Sequence, residues 1–145
     1  MSNGSNGIDG FFHAQLLAWF AENKRTFPWR EGSIDPFVSI ITELLLQRTK
    51  ADAIADFYPK LLEFYSTPDK VLARGKDLIV NDLSVLGLQD RRARSLLAIA
   101  ASIQDEYGGI VPDDEAALLE LDGVGRYIAR AAMFCIWQTR FYCRW

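Results

Sequence analysis

The stretch Leu121-Asp122-Gly123-Val124-Gly125-Arg126-Tyr127 constrains this chain more than any other. Two glycines separated by one apolar residue let the backbone reverse sharply, because glycine reaches positive φ without a steric penalty. The valine between them turns into the core. Apolar residues on either side fall at helical spacing, so the turn joins two helices. Backbone N–H groups then face outward at the start of the second helix, where an anion is held without side-chain specificity. Arg126 beside those amides and Arg130 one turn on add positive charge. An ordinary helical hairpin that needs glycine at its bend is the alternative, and the turn by itself does not separate the two.

The rest of the 145 residues reads as helices with short polar breaks. From Phe11 to Ala21, Phe12, Leu16, Trp19 and Phe20 recur at helical spacing, which predicts that the Phe11-Phe12 pair, His13 and Trp19 serve packing. Pro28 disfavours helix at Phe27 and makes Thr26 to Gly32 a turn segment. Asp35-Pro36 opens a helix through Gln47, with an N-cap followed by proline in the first turn. A further helix runs from about Ala51 to Tyr65, bent or restarted at Pro59. Thr67 caps a short helix, and Lys76 to Leu86 gives another. Asp90 to Glu106 is the most basic helix, stopped by Gly108-Gly109. A short helix from Pro112 ends near Leu121, and a last one runs from Arg126 to about Phe134. No alternating strand run is evident, so the class is all-α, a helical bundle.

Half of the residues are apolar, enough for a core at a one-domain length. No apolar run approaches the roughly 20 residues of a membrane span, and the polar, Gly-rich N-terminus is neither a secretory signal nor a basic transit peptide. Two cysteines and one histidine make no metal or disulfide framework, and Cys135 and Cys143 read as free thiols of a reducing cytoplasm. A net charge of −3 argues mildly against a nucleic-acid partner. Position argues the other way, because arginines gather at Arg48, Arg91, Arg92, Arg94, Arg126 and Arg130.

The 121–127 segment resembles the helix-hairpin-helix of the base-excision DNA glycosylases related to endonuclease III and the adenine- and thymine-mismatch glycosylases. Three other segments resemble that superfamily in the same order. Phe27-Pro28-Trp29-Arg30 followed by Asp35-Pro36-Phe37 is similar to the opening motif of the adenine-mismatch branch. Thr42-Glu43-Leu44-Leu45-Leu46-Gln47-Arg48-Thr49 resembles its Glu-containing helix. Gly87-Leu88-Gln89-Asp90-Arg91-Arg92-Ala93 and Tyr107-Gly108-Gly109-Ile110-Val111-Pro112 are similar to its Gly-Leu and Gly-Gly-x-Val-Pro positions. The resemblance covers about Leu16 to Phe134. It departs at Asp122, where the superfamily usually has proline.

The resemblance implies roles for matching residues. Glu43 aligns with the carboxylate that protonates the leaving adenine, a task that a pocket-raised pKa suits. Without the resemblance, Glu43 reads as a carboxylate on a solvated helix face. Arg48, with Gln47 before it, stands where a side chain fills the gap left by a flipped base, whose unstacking costs a few kcal/mol. A surface arginine binding phosphate is the other reading of Arg48. Tyr127 occupies the position that is lysine in bifunctional enzymes. Lysine there forms a Schiff base with the sugar, so tyrosine implies a monofunctional, catalytic-pocket role, while by itself it reads as a half-buried helix tyrosine. Gly123, Val124, Gly125 and Arg126 are the implied DNA contacts of the hairpin, joined by Arg91 and Arg92. The opening motif points to adenine excision, whereas Tyr127 is shared with the thymine branch.

The superfamily's aspartate, which stabilises the developing sugar cation, follows the hairpin in a Val-Asp-Gly-Asn type motif that is absent here. The residues from Ile136 to Trp145 do not resemble the superfamily. Shifting the reading frame forward by one base changes that. Trp137 followed by Gln138 then forces glycine, Gln138 followed by Thr139 forces a basic residue, and permitted codons turn 135–145 into Ala-Phe-Gly-Lys-Pro-Val-Phe-Ile-Val-Asp-Gly. The expected organisation is a disordered tail over 1–8, a glycosylase domain over 9–134 lacking its C-terminal part, and an out-of-frame tail over 135–145. The expected function is base-excision repair: removal of adenine opposite guanine or oxidised guanine, or of thymine opposite guanine, by N-glycosidic hydrolysis, with little or no activity in this chain. The alternative is a non-catalytic DNA-binding hairpin module. Expected partners are double-stranded DNA with a mismatched or damaged base and, through an uncovered N-terminal helix, a second copy. No membrane, metal or cofactor is expected in this chain, any iron–sulfur cluster belonging to the missing part. The expected location is the cytoplasm, on the nucleoid.

Overall fold

The computed structural model describes the backbone of residues 5–142 and the side chains of residues 10–138; Cys143 lies outside them. Eight α-helices make up the described chain: α1 Ser5–Asn23, α2 Pro36–Leu46, α3 Ala51–Phe64, α4 Pro68–Arg74, α5 Lys76–Leu83, α6 Gln89–Tyr107, α7 Glu115–Glu120 and α8 Arg126–Tyr142. Single 3₁₀ turns at Pro28–Arg30 and Ser84–Leu86 join them, and no strand occurs among the described residues. The all-α class holds. No described helix is long and apolar enough to cross a membrane.

The core is organised around α2. The Asp35 carboxylate accepts from the N–H groups of Phe37 (2.8 Å) and Val38 (3.4 Å), satisfying donors that a helix start leaves open. Phe37, Val38, Ile40, Ile41, Leu44 and Leu45 are all buried, so α2 is apolar nearly all round, the signature of a central helix. Each such side chain stabilises the fold by roughly 1.5–3 kcal/mol through burial. α8 packs along α2, α4 and α5 pack on α6, and α7 folds back on α8. On α6, Ala93, Leu96, Ile99, Ala100 and Ile103 form the inward stripe. Gly108 ends α6 in the left-handed conformation. Away from α2, the buried Asp82 carboxylate gathers Lys60 (2.7 Å), Arg74 (2.8 Å) and the Tyr65 hydroxyl (2.6 Å).

Four expectations are corrected. α1 begins at Ser5, inside the segment 1–8 read as a disordered tail. Its apolar residues do not serve packing, and the helix is uncovered as expected: every residue from 10 to 26 is exposed, with Phe11, Phe12, Leu16, Trp19 and Phe20 each at least half exposed. Helical spacing shows which residues share a face, and it is silent on whether a neighbour covers that face. α8 continues past Phe134 to Tyr142, with Cys135 and Ile136 buried, because the apolar period through Ile128, Ala132 and Cys135 carries on against α2. Pro59 sits inside an unbroken α3.

Candidate functional site

Two recesses are lined by different residues of the C-terminal half of α2. The first is a cavity of about 360 Å³ between α2, α8 and the turn at Pro28–Arg30. Glu43 and Thr42 line it from α2, Tyr127, Ala131 and Cys135 from α8, and Trp29 and Arg30 from the turn. Pro28 holds that turn, and the Trp29 ring stacks on Phe27 with centroids 4.8 Å apart and planes within 5°. The cavity therefore has a rigid aromatic wall.

Glu43 is half-buried there. Burial pushes its carboxyl pKa up, while the nearby Tyr127 hydroxyl and the Arg30 charge pull the other way without cancelling the rise. The Glu43 charge in turn raises the Tyr127 phenol, so that the hydroxyl remains a donor. Among the described residues lining the cavity, Glu43 is the one carboxylate. Cys135 is buried against it, its thiol pKa raised by that burial.

The second recess, about 250 Å³, is a groove lined by Leu44, Gln47, Arg48, Leu88, Arg91, Arg92, Ser95 and Gly123. The hairpin forms one end. Gly123 has φ +86°, and a Cβ there would stand 3.4 Å from Ser95 Oγ. Val124 is buried, and its N–H donates to Leu121 O at 3.0 Å. Gly125 and Arg126 are exposed at the start of α8, whose first-turn N–H groups have no intrahelical acceptor. Arg48 and Leu88 are the two described non-glycine residues with positive φ, +61° and +53°. That conformation costs an L-residue roughly 1–2 kcal/mol, and both face the same groove.

The structure brings Glu43 and Tyr127 together in the cavity, and Gln47, Arg48, Gly123 and Arg91 together at the groove. Two candidates are corrected. Arg92 is 4 % exposed and its guanidinium points inward, donating to Leu86 O, Gly87 O, Leu45 O, Gln47 O and the Thr49 hydroxyl. It presents no donor to a phosphate. Val124 offers neither a side chain nor a free N–H and serves as the plug of the hairpin. Arg130 is not among them: its Nε meets Glu115 at 3.3 Å, and the side chain stays exposed. Two residues at these recesses were absent from the sequence-derived set. Arg30 was visible in the Phe-Pro-Trp-Arg motif, and Leu88 follows the glycine of its own motif, but nothing local signals its left-handed backbone.

No family model matches the chain. It is 35% identical over 133 residues to the thymine/uracil-DNA glycosylase of Methanothermobacter thermautotrophicus, covering 92% of this chain and 60% of that protein. It is 32% identical over 125 residues to the adenine DNA glycosylase of Mycobacterium tuberculosis (strain CDC 1551 / Oshkosh), covering 86% of this chain and 41% of that one. A solved thermostable thymine-DNA glycosylase superposes with a TM-score of 0.78 at 34% identity, over 94% of this chain and 62% of that structure. The chain thus spans about 40–60% of the length of these curated relatives.

Proposed function

We propose that this chain, whose relatives and fold are those of the helix-hairpin-helix DNA glycosylase superfamily, binds duplex DNA at a mispaired base and receives that base in the Glu43–Tyr127 cavity. The observation that carries this reading is the placement of the cavity and the groove on different residues of one helix end. A duplex lying on the hairpin meets the α8 amides, Arg126 and Arg91 at its phosphates. Arg48 and Leu88 then stand at the stack, and an extruded base passes α2 into the cavity. Exposed long or apolar side chains on constrained backbone suit the filling of the vacated space. A volume near 360 Å³ falls in the range of ligand sites, about 300–1,000 Å³.

In the cavity Glu43 holds its proton at a higher pH than an ordinary carboxyl and donates it to a ring nitrogen of the base. The C1′–N bond then breaks with its electron pair going to the base, and water adds to the sugar cation and loses a proton. Stabilising that cation calls for a second carboxylate, which Glu43 as donor does not replace. The proposed activity of this chain is accordingly mismatch binding with little base release. The tail 135–145 is proposed to be out of frame, and its restoration to supply the aspartate. The relatives act on thymine, uracil or adenine by name, and G·T and oxidised-G·A duplexes are the substrates to compare.

The test measures binding and abasic-site formation together on those duplexes. Binding that prefers a mismatch and weakens with salt, its log–log slope falling by about 0.9 in Arg126→Ala, supports the reading. Absence of duplex binding at low salt overturns it. Efficient base release by the chain as it stands overturns the need for the restored frame. A non-catalytic module is the second reading, favoured by Glu43 being the one carboxylate among the described residues of the cavity, and equal affinity for matched and mismatched duplexes selects it.

A further inference from the structure

We propose that Arg92 is a positioning residue that sets the backbone of Arg48 and Leu88, the two groove residues facing the DNA stack; the consequence for DNA rests on the function proposed above. Arg92 lies in the first turns of α6, next to the exposed Arg91, and is almost fully buried. Its Nη1 donates to Leu86 O (3.0 Å) and Gly87 O (2.8 Å), and its Nη2 to Leu45 O (3.1 Å), Gln47 O (2.7 Å) and the Thr49 hydroxyl. All of these partners are neutral. A buried charge with no carboxylate beside it is unusual for a residue serving stability alone, since desolvating it is costly.

The choice of carbonyls explains the cost. The carbonyl of Gln47 belongs to the peptide unit that carries the N–H of Arg48, and the carbonyl of Gly87 to the unit that carries the N–H of Leu88. Fixing the direction of each carbonyl fixes the peptide plane on which the next residue's φ is measured. Those next residues are the two with φ of +61° and +53°. The same guanidinium grips both planes, one from each terminal nitrogen, so the two strained residues are set relative to each other as well. It also covers the last carbonyls of α2, which have no intrahelical partner. A planar fork with five donors makes this bridge; a lysine ammonium, with three donors around one point, reaches one side only.

Arg92→Met and Arg92→Lys test the role. In backbone NMR of the folded protein, both variants are expected to lose the positive-φ signature of Arg48 and Leu88 in chemical shifts and three-bond couplings, while α3, α4 and α5 keep their helical shifts. Retention of that signature in both overturns the proposal, whatever the DNA result. At a temperature where wild type and Arg92→Lys are fully folded, a duplex with a tetrahydrofuran abasic site is compared with its matched counterpart. The preference for the abasic site is expected to fall about tenfold, equivalent to about 1.4 kcal/mol, with the salt slope unchanged. A slope reduced by about 0.9 makes Arg92 a phosphate contact and overturns the proposal. An unchanged preference with only a lower Tm leaves it a stability residue, and also overturns it. Wild type that binds neither duplex refutes the functional reading, while the NMR result still decides the role of Arg92 in the backbone.

Discussion

The two glycines of the hairpin are expected to respond differently to the same substitution, Gly123→Ala in stability and Gly125→Ala in DNA binding. Gly123 has φ +86°, so alanine there takes a left-handed conformation, at a cost of about 1–2 kcal/mol. Its Cβ would stand 3.4 Å from Ser95 Oγ and 3.9 Å from Leu44 Cδ1. Those are ordinary contacts and add little. Gly125 lies outside the positive-φ region, and a Cβ there meets nothing within 4 Å. At that position, immediately before α8, alanine restricts the unfolded chain but is a poorer helix cap than glycine. The two effects oppose each other and leave a net change within about 0.5 kcal/mol. Gly123→Ala should therefore melt below Gly125→Ala by about 2–8 °C, taking 1–2 kcal/mol at 2–4 °C per kcal/mol for a chain of this size. Far-UV circular dichroism during heating and in urea measures the difference. Binding should separate from stability: the Gly125 methyl projects into the open space beside the α8 amides, where a phosphate would sit, so Gly125→Ala is expected to bind duplex more weakly at near-native stability. If Gly123→Ala proves as stable as Gly125→Ala, the conformational argument fails. If Gly125→Ala binds duplex like wild type, the hairpin is not the phosphate site.

Two other substitutions probe the titrating groups. Burial raises the Glu43 pKa, so the folded protein holds this proton more tightly than the unfolded chain, and stability is lost as pH rises from the unfolded pKa through the folded one. Glu43→Gln should accordingly gain stability relative to wild type as pH rises above the ordinary carboxyl range and converge with it at the acid end; a difference independent of pH refutes the account. At Asp82 burial raises the carboxyl pKa, but hydrogen bonds from Lys60, Tyr65 and Arg74 outweigh it and the net shift is downward. Its contribution is present above the unfolded pKa and is lost as pH falls through the folded one. Asp82→Asn should cost about 1–3 kcal/mol at pH 7, the scale of hydrogen bonds to a charged group, and urea titration showing no loss would contradict the network.

Much of this protein was legible in the sequence because much of it is local. Asp35-Pro36, Thr67-Pro68 and Gly108 cap helices through contacts within a turn of themselves, and each does so in the structure. The Gly123-Val124-Gly125 reversal follows from spacing in the same way, whereas spacing alone set Glu43 on a solvated face and only the family resemblance put it in a pocket. The sequence could not tell Arg91 from Arg92, adjacent residues of one type. One is exposed at the groove and the other is buried under it, because the acceptors that hold Arg92 on α2 and its following turn lie 43–47 residues away. The left-handed backbone of Leu88 and the approach of Tyr127 to Glu43 share that cause. Periodicity and caps act over a few residues and determine the helices, whereas the partner of a buried charge and the neighbour of an apolar face exist only once distant segments have packed.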